Sequence, residues 1–406
     1  MERKRLVVVG NGMAGARFVE EVLARGGDRL YEIVMFGDEP YGNYNRILLS
    51  GVVSGTHEPS DIFINPLAWY HDNSIKLHAG VRVNRIDRES KRVYGVSRPH
   101  QPYGEDGIVE RYDKLVVATG SSALLPPIDG LRTETGAFRD GVFVFRTLED
   151  CDQIVSYGRR VRKAAVIGGG LLGLEAARGL LNQGLEVHVV HLMGHLMEVQ
   201  LDPHAGSILK GTLEKMGVHV HLEKSTTAIL GDSSVTGLAF KDGSTLDCDM
   251  VVISAGIKPN VDVARQAGLA VERGIVVGDD MSCPVDPDVF AVGECAQHRG
   301  RVYGLVAPLW EQAQVLADRL TDRNPTAAYV GSKVSTKLKV MGVELAVIGE
   351  KEPACETDEV ITYAEPSRGV YKKLIIGDGK LKGAILLGDG LSAPSLLQAF
   401  DRGTDL

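Results

Sequence analysis

Arg5-Leu6-Val7-Val8-Val9-Gly10-Asn11-Gly12-Met13-Ala14-Gly15 decides the fold: an unbroken apolar run passes directly into glycines at GxGxxG spacing. A continuous run of β-branched residues suits a strand covered on both faces, as in a parallel sheet. Helical spacing of apolar residues then follows over 14–25, and a second strand-like run over 31–36. In such a strand–turn–helix unit the glycines have separate tasks. Gly10 makes the tight turn, Gly12 lets the backbone approach a diphosphate, and Gly15 brings helix and strand together. The helix start at Met13 and Ala14 contributes unpaired N–H groups and partial positive charge.

Working outward, Asp38 and Glu39 follow the second strand at the distance expected of a ribose-binding acid, and Glu39 is the better placed of the two. Arg46, in Tyr44-Asn45-Arg46, carries a planar fork of donors suited to a pyrophosphate. The whole pattern recurs: 161–167 reads as a strand, 171–183 as a helix and 185–191 as a strand. Gly168-Gly169-Gly170-Leu171-Leu172-Gly173-Leu174-Glu175 lies between the first two. Gly168, Gly170 and Gly173 repeat the fingerprint, with Leu171 and Leu172 opening the helix, and two matches in matching context are far more specific than one. At the second strand end the expected acid is missing and His191 stands there instead. No arginine cluster follows to receive a 2′-phosphate, and Glu198 would repel one, so NADH is favoured while NADPH is not excluded.

Between the two units, 81–87, 91–96 and 108–112 read as antiparallel strands before 115–117 returns to the sheet. Pro126, Pro127 and Gly130 mark the crossing into the second unit, and from Asn324 alternating strands such as 333–340 and 371–376 replace the helical pattern. The expected fold class is therefore α/β, with two Rossmann-like dinucleotide-binding domains followed by a C-terminal α+β domain. The expected boundaries are 1–120 with 257–323 for the first domain, 121–256 for the second and 324–406 for the third.

Composition narrows the function. The formal charge is -8, with 45 Lys and Arg against 53 Asp and Glu, so no general field attracts a nucleic acid. No segment approaches the ~20 apolar residues of a membrane span, and residues 1–5 lead into the first strand without a signal-type apolar region. The cysteines, Cys151, Cys248, Cys283, Cys295 and Cys355, are odd in number and form no CxxC pair, which fits a reducing cytoplasm. Metal binding is not expected. His188, His191 and His195 are close in sequence and His219 and His221 share a strand face, but positions three apart on a strand face opposite ways, and no cysteine or carboxylate set completes a tetrahedron.

Ala118-Thr119-Gly120, Ala255-Gly256-Ile257-Lys258-Pro259-Asn260 and Asp286 through Ala291-Val292-Gly293-Glu294 complete a pattern over essentially the whole chain that resembles the FAD- and NAD(P)-dependent pyridine nucleotide reductases. GNYNRILLS at 42–50, VVHLMGHLME at 189–198 and GLVAPLWEQA at 304–313 are similar, more closely, to the flavin portion of assimilatory nitrite reductase large subunits. The resemblance implies FAD on the first fold, near Gly10–Gly15 and Arg46, with Gly293 and Glu294 at its ribityl or phosphate groups. Many relatives carry Asp where Glu294 stands. It further implies Val83 touching the adenine through its backbone, Glu175 near the nicotinamide, and Trp310 beside the flavin on a helix that begins after Pro308.

Members of this family that reduce disulfides or peroxides need a thiolate a few residues beyond Arg46, and 48–53 contains none. The electrons must then leave for an external acceptor. Cys295, next to Glu294, is expected to pack rather than react, since the neighbouring carboxylate would raise its pKa. Nitrite reductase large subunits continue into iron–sulfur and sirohaem parts, whereas this sequence stops at Leu406, so the expected role is the NAD(P)H-reading module. Hydride would pass from nicotinamide carbon to flavin N5 at about 3–3.5 Å. The electrons would go on to a protein partner: an iron–sulfur protein, a rubredoxin, or a nitrite or nitrate reductase. A homodimer or a place in a larger complex fits equally. Lys333, Lys337 and Lys339, alternating with Val334, Leu338 and Val340, form either a docking strand for an acidic partner or a solvated edge that blocks aggregation. Two other functions compete: an NADH oxidase or peroxidase, and a structural flavoprotein that senses NADH.

Overall fold

The computed structural model describes residues 3–97, 107–333 and 335–405. They divide into two compact units, one of 1–46, 60–122 and 257–332, the other of 47–59, 123–256 and 333–406.

The first unit is built on a six-stranded sheet, ordered Ser282–Cys283, Asp286–Ala291, Lys114–Val117, Lys4–Val9, Tyr31–Gly37, Lys76–Ala79. Only the first pair is antiparallel. Leu6, Val7, Val8, Leu115, Val116 and Val117 are completely buried, which is why these strands read as continuous apolar runs rather than alternating ones. The helix Met13–Ala24 packs Phe18, Val19 and Val22 into the same core, which the helix Val306–Leu320 joins through Leu309, Ala313, Leu316 and Ala317. The strands Val81–Asp87, Arg92–Ser97 and Ile108–Arg111 form a separate antiparallel sheet in this unit.

The second unit repeats the plan with five parallel strands, ordered Val142–Val144, Met250–Ile253, Lys163–Ile167, Glu186–Val190, Val218–His221. Its own antiparallel trio, Thr226–Leu230, Gly237–Phe240 and Thr245–Asp247, covers one sheet face. Ile229, Leu238 and Phe240 pack there against Ala165, Ile167, Val190, Val251 and Ile253. The same unit contains a five-stranded antiparallel sheet ordered Ser335–Val340, Val343–Gly349, Lys380–Leu387, Val370–Gly377, Glu359–Glu365. The helix Ala393–Arg402 closes it through Ala393 and Leu396 on Ala346 and Leu386.

This sheet is tied to the parallel one by polar groups removed from water. Asp202 caps the helix Pro203–Lys215 by accepting from the Ala205 N–H at 2.8 Å. It also accepts from the Tyr371 hydroxyl at 2.7 Å and pairs with Lys373 at 3.1 Å, both charged side chains being buried. Burial works against the Asp202 charge, but the Ala205 N–H, Tyr371 and Lys373 outweigh it and hold the carboxyl below its ordinary range. Among the described residues no helix is long and apolar enough to cross a membrane.

Candidate functional site

The two glycine turns are built alike. Gly10 has φ +120° and its N–H donates to the Phe36 carbonyl; Gly168 has φ +126° and donates to that of Val190, both at 2.9 Å. A Cβ at either position would lie 2.1 Å from a carbonyl oxygen of the neighbouring strand end, of Ala118 in the first and of Ser254 in the second. Only glycine tolerates that backbone and that approach. A Cβ on Gly15 would meet the Gly10 carbonyl oxygen at 2.1 Å and one on Gly173 the Gly168 oxygen at 2.0 Å, the close helix–strand packing the spacing calls for. Gly12 and Gly170 differ from the rest: each is the extended N-cap of its helix, no side chain caps either one, and a Cβ there would meet nothing within 4 Å. Each turn thus presents a helix start with uncapped amides, at Met13 and Ala14 or at Leu171 and Leu172, over open space of the kind a diphosphate fills.

Around the first turn the structure gathers most of the residues singled out by sequence. Gly293 has φ +92° and faces Ala14, a Cβ there lying 2.7 Å from that of Ala14, and its N–H donates to Gln312 at 2.9 Å. Glu294 accepts from the Ser121 hydroxyl at 2.7 Å. Ala118, Thr119 and Gly120 follow the strand Lys114–Val117. Thr119 and Gly120 are locked to Asn260, with Thr119 Oγ1 donating to its carbonyl at 2.6 Å and the Asn260 N–H donating to the Gly120 carbonyl at 2.9 Å. Asn11 is pinned by the Tyr70 hydroxyl, which donates to Asn11 Oδ1 at 2.6 Å; burial pushes that phenol up to about 12. Arg46 pairs with Glu39 at 2.5 Å, and the Tyr44 hydroxyl donates to the same carboxylate at 2.7 Å. Burial works against the Arg46 charge, and Tyr44, Glu39 and Glu294 more than restore it. Glu39 is therefore held by two neighbours, while Asp38 accepts from Arg82. Val83 lies at an irregularity of its strand, where pairing shifts between Val83 and Arg85.

The helix carrying Trp310 starts at Val306, ahead of Pro308 and not after it; proline is tolerated in a first turn because its missing N–H would have no partner there. Trp310 packs under Arg17, 5.0 Å from guanidinium to ring, and its indole Nε1 is buried with no partner. An orphaned donor of this kind is what a site for a polar aromatic group would leave. Cys295 is fully buried, and burial, rather than Glu294, is the main cause that raises its thiol pKa.

At the second turn His191 is 6% exposed and its tautomer can be read from its partners. The Gly169 N–H donates to Nδ1 at 3.0 Å, so Nε2 carries the proton and donates to Glu198 at 2.9 Å. A carboxylate seven residues beyond the strand end is thereby held next to the turn by the histidine. Lys351 donates to the Glu198 carbonyl. Glu175 accepts from the Met341 N–H at 3.1 Å, and Gly256, φ +113°, bonds through its carbonyl to the Leu124 N–H.

Sequence reasoning missed Ser121, the bonds that tie Asn260 to Thr119 and Gly120, and the Glu198 bond, since each contact joins separate segments. It also dismissed a histidine group that the strand register assembles. His188 lies opposite His219 on adjacent parallel strands, so the two share a face, and Glu186, two residues from His188, adds a carboxylate. Three-residue spacing turns His188 and His191 to opposite faces of one strand, but pairing with the neighbouring strand sets His219 beside His188. The lysine strand is an edge strand, with Lys337 and Lys339 exposed; Lys333 donates to the Asp401 carbonyl at 3.2 Å, and Val334 and the side chain of Leu338 lie outside the described residues.

Residues 4–316 match the family described as pyridine nucleotide-disulphide oxidoreductase, and residues 335–404 the rubredoxin NAD+ reductase C-terminal domain. The chain belongs to the pyridine nucleotide-disulphide oxidoreductase family. The family's name gives its chemistry as oxidoreduction with a pyridine nucleotide. The chain is 44% identical over 406 residues to a nitrite reductase [NAD(P)H] of Bacillus subtilis, covering 100% of this chain and 48% of that protein. It is 43% identical over 411 residues to an assimilatory nitrate reductase electron transfer subunit of the same organism, covering 100% and 50%. The chain thus spans about half the length of these relatives. Among solved structures, the ferredoxin reductase for the CYP199A2 system from Rhodopseudomonas palustris has the same fold, with a TM-score of 0.83 at 24% identity, over 100% of this chain and 98% of that one.

Proposed function

We propose that this protein draws electrons from NADH through FAD and delivers them to a separate redox protein, with FAD held at 1–120 and 257–323, NADH at 121–256, and 324–406 as an interface domain. The observation that carries this reading is the pair of equivalent turns, each with an open cradle at its middle glycine, Gly12 or Gly170. Bound FAD would supply the chemistry that accepts a hydride and releases electrons singly.

The chain's own residues do the holding. The amides after Gly12, with Arg46, would receive the FAD diphosphate, and Gly293 and Glu294 would border it opposite Ala14. Glu39 would reach the ribose after exchanging one of its partners, and Val83 would meet the adenine. Trp310, with its unsatisfied indole N–H, would stand beside the flavin. In the second unit the amides after Gly170 would receive the NADH diphosphate, with Gly256 bordering the site and Glu175 near the nicotinamide. Glu198, oriented by the fixed tautomer of His191, would accept from the ribose 2′-hydroxyl and repel a 2′-phosphate, which favours NADH over NADPH.

The acceptor follows from the relatives' names and from the thiols. Two relatives are a nitrite reductase and a nitrate reductase electron transfer subunit, so a nitrite or nitrate reductase component is the proposed partner, with rubredoxins and iron–sulfur proteins as the related class. A peroxidase reading needs a reactive thiol, and Cys295 is buried with its thiol pKa raised. All five cysteines are free, which suits the reducing cytoplasm as the proposed location. The test is anaerobic reduction watched at the flavin band. NADH should bleach it at least tenfold faster than NADPH, and an added one-electron carrier should restore turnover. Flavin that NADH leaves oxidised would overturn the reading.

A further inference from the structure

On the edge of the parallel sheet in the second unit lies a group that the dinucleotide chemistry does not use. Glu186 and His188 stand two residues apart on one strand, and His219 and His221 two apart on the next, which is the edge strand. Register places His188 opposite His219 and Val190 opposite His221, so all four side chains share one face. The rings are nearly parallel, with centroids 4.6 Å apart for His188 and His219 and 5.2 Å for His188 and His221. One ligand atom each from Glu186, His188 and His219 lies within 4.8 Å of the other two.

We propose that Glu186, His188 and His219 bind a divalent transition ion of borderline softness, Zn²⁺ by preference, with His221 holding the His188 ring in place. Two imidazoles and a carboxylate are a donor set that Zn²⁺ accepts, at about 2.0–2.2 Å from each, with a position left for water. His188 is buried and held on both sides: Nε2 is 3.0 Å from Glu186 Oε1 and Nδ1 is 2.9 Å from His221 Nε2. When the proton sits on Nδ1 and is donated to His221, the Nε2 lone pair faces the carboxylate, and a cation between them satisfies both. A histidine ligand whose other ring nitrogen donates to a fixed partner is the usual support for a bound metal. Glu186 and His219 are exposed and have room to close the remaining distance. Lys163, 3.4 Å from Glu186, is the cation that must swing away. An ion here would clip the edge strand to its neighbour.

The experiment uses the flavin-loaded protein, stripped with a chelator and titrated with Zn²⁺ against a chromophoric competitor. One equivalent should bind to the wild type. Glu186→Gln and His219→Ala should each weaken that binding at least tenfold, and His221→Ala by roughly 10–100-fold, the range for a lost supporting partner. Anaerobic bleaching of each variant's flavin by NADH, which needs the second unit intact, confirms that it is folded, and a Co²⁺ absorption band that vanishes in Glu186→Gln and His219→Ala places the ion. The site is refuted if the wild type takes up no stoichiometric Zn²⁺, or if uptake persists unchanged in the Glu186→Gln/His219→Ala double variant.

Discussion

The first and second glycine turns share a backbone and differ in what surrounds it. Gly10 and Gly168 have φ values of +120° and +126°, and the same backbone bonds tie each turn to its neighbouring strands. Beyond the turn they part. The first has Asp38 and Glu39 at its strand end, satisfied by Arg82, Tyr44 and Arg46. The second has a neutral His191 that presents Glu198. Spacing of glycines marks where a diphosphate could lie, and under the proposed function the strand-end side chains would choose the nucleotide that carries it.

The largest effect should come from the glycines that touch protein. Alanine at Gly10 or Gly168 places a Cβ against a carbonyl oxygen in a left-handed backbone, and each change should cost about 3 kcal/mol, read as a lower unfolding temperature. If one site tolerates alanine, the equivalence of the turns is broken. Next is Asp202→Asn, which probes how far the C-terminal sheet steadies the parallel sheet of the second unit. It should cost about 2 kcal/mol at pH 7, because Lys373 loses a buried partner while Glu352 remains. The Asp202 carboxyl is held below its ordinary range in the fold, so its contribution is present above pH ~4 and is lost as pH falls through the lower folded value. Wild type and variant should therefore converge in acid, and a gap that stays constant with pH would contradict this. Glu198→Ala should narrow the preference for NADH over NADPH by about tenfold, the scale of one charge-assisted hydrogen bond, in the ratio of kcat/KM values. An unchanged ratio would return the choice to another residue. The smallest effect is expected of the double reversal Lys337→Glu/Lys339→Glu. It should slow reduction of an acidic protein carrier several-fold at low salt and leave ferricyanide reduction alone. Equal slowing of both would remove the lysine strand as a docking face.

Much of the fold was legible because it follows local rules. The strand expected at 5–9 is Lys4–Val9, the helix at 14–25 is Met13–Ala24, and the strand at 81–87 is Val81–Asp87. The ends drift where capping decides: the strand expected from 161 starts at Lys163, and the Trp310 helix starts at Val306 since Pro308 fits its first turn. The glycine turns were legible for the same reason, each role depending on spacing within fifteen residues. What escaped depends on register between segments far apart. Nothing along the chain says that His188 faces His219, that Ser121 reaches Glu294, or that Glu175 meets the N–H of Met341. These contacts exist only once sheets are assembled.

Valine at Gly12 compared with valine at Gly170 tests the division of labour most directly, because at both positions a Cβ would enter open space with no protein atom within 4 Å. Gly12→Val should yield a folded protein that has lost most of its FAD. Gly170→Val should keep the wild-type flavin spectrum and lose anaerobic bleaching by NADH. Retention of flavin and of NADH bleaching in both variants, or loss of colour in Gly170→Val alone, would contradict the assignment of one nucleotide to each turn.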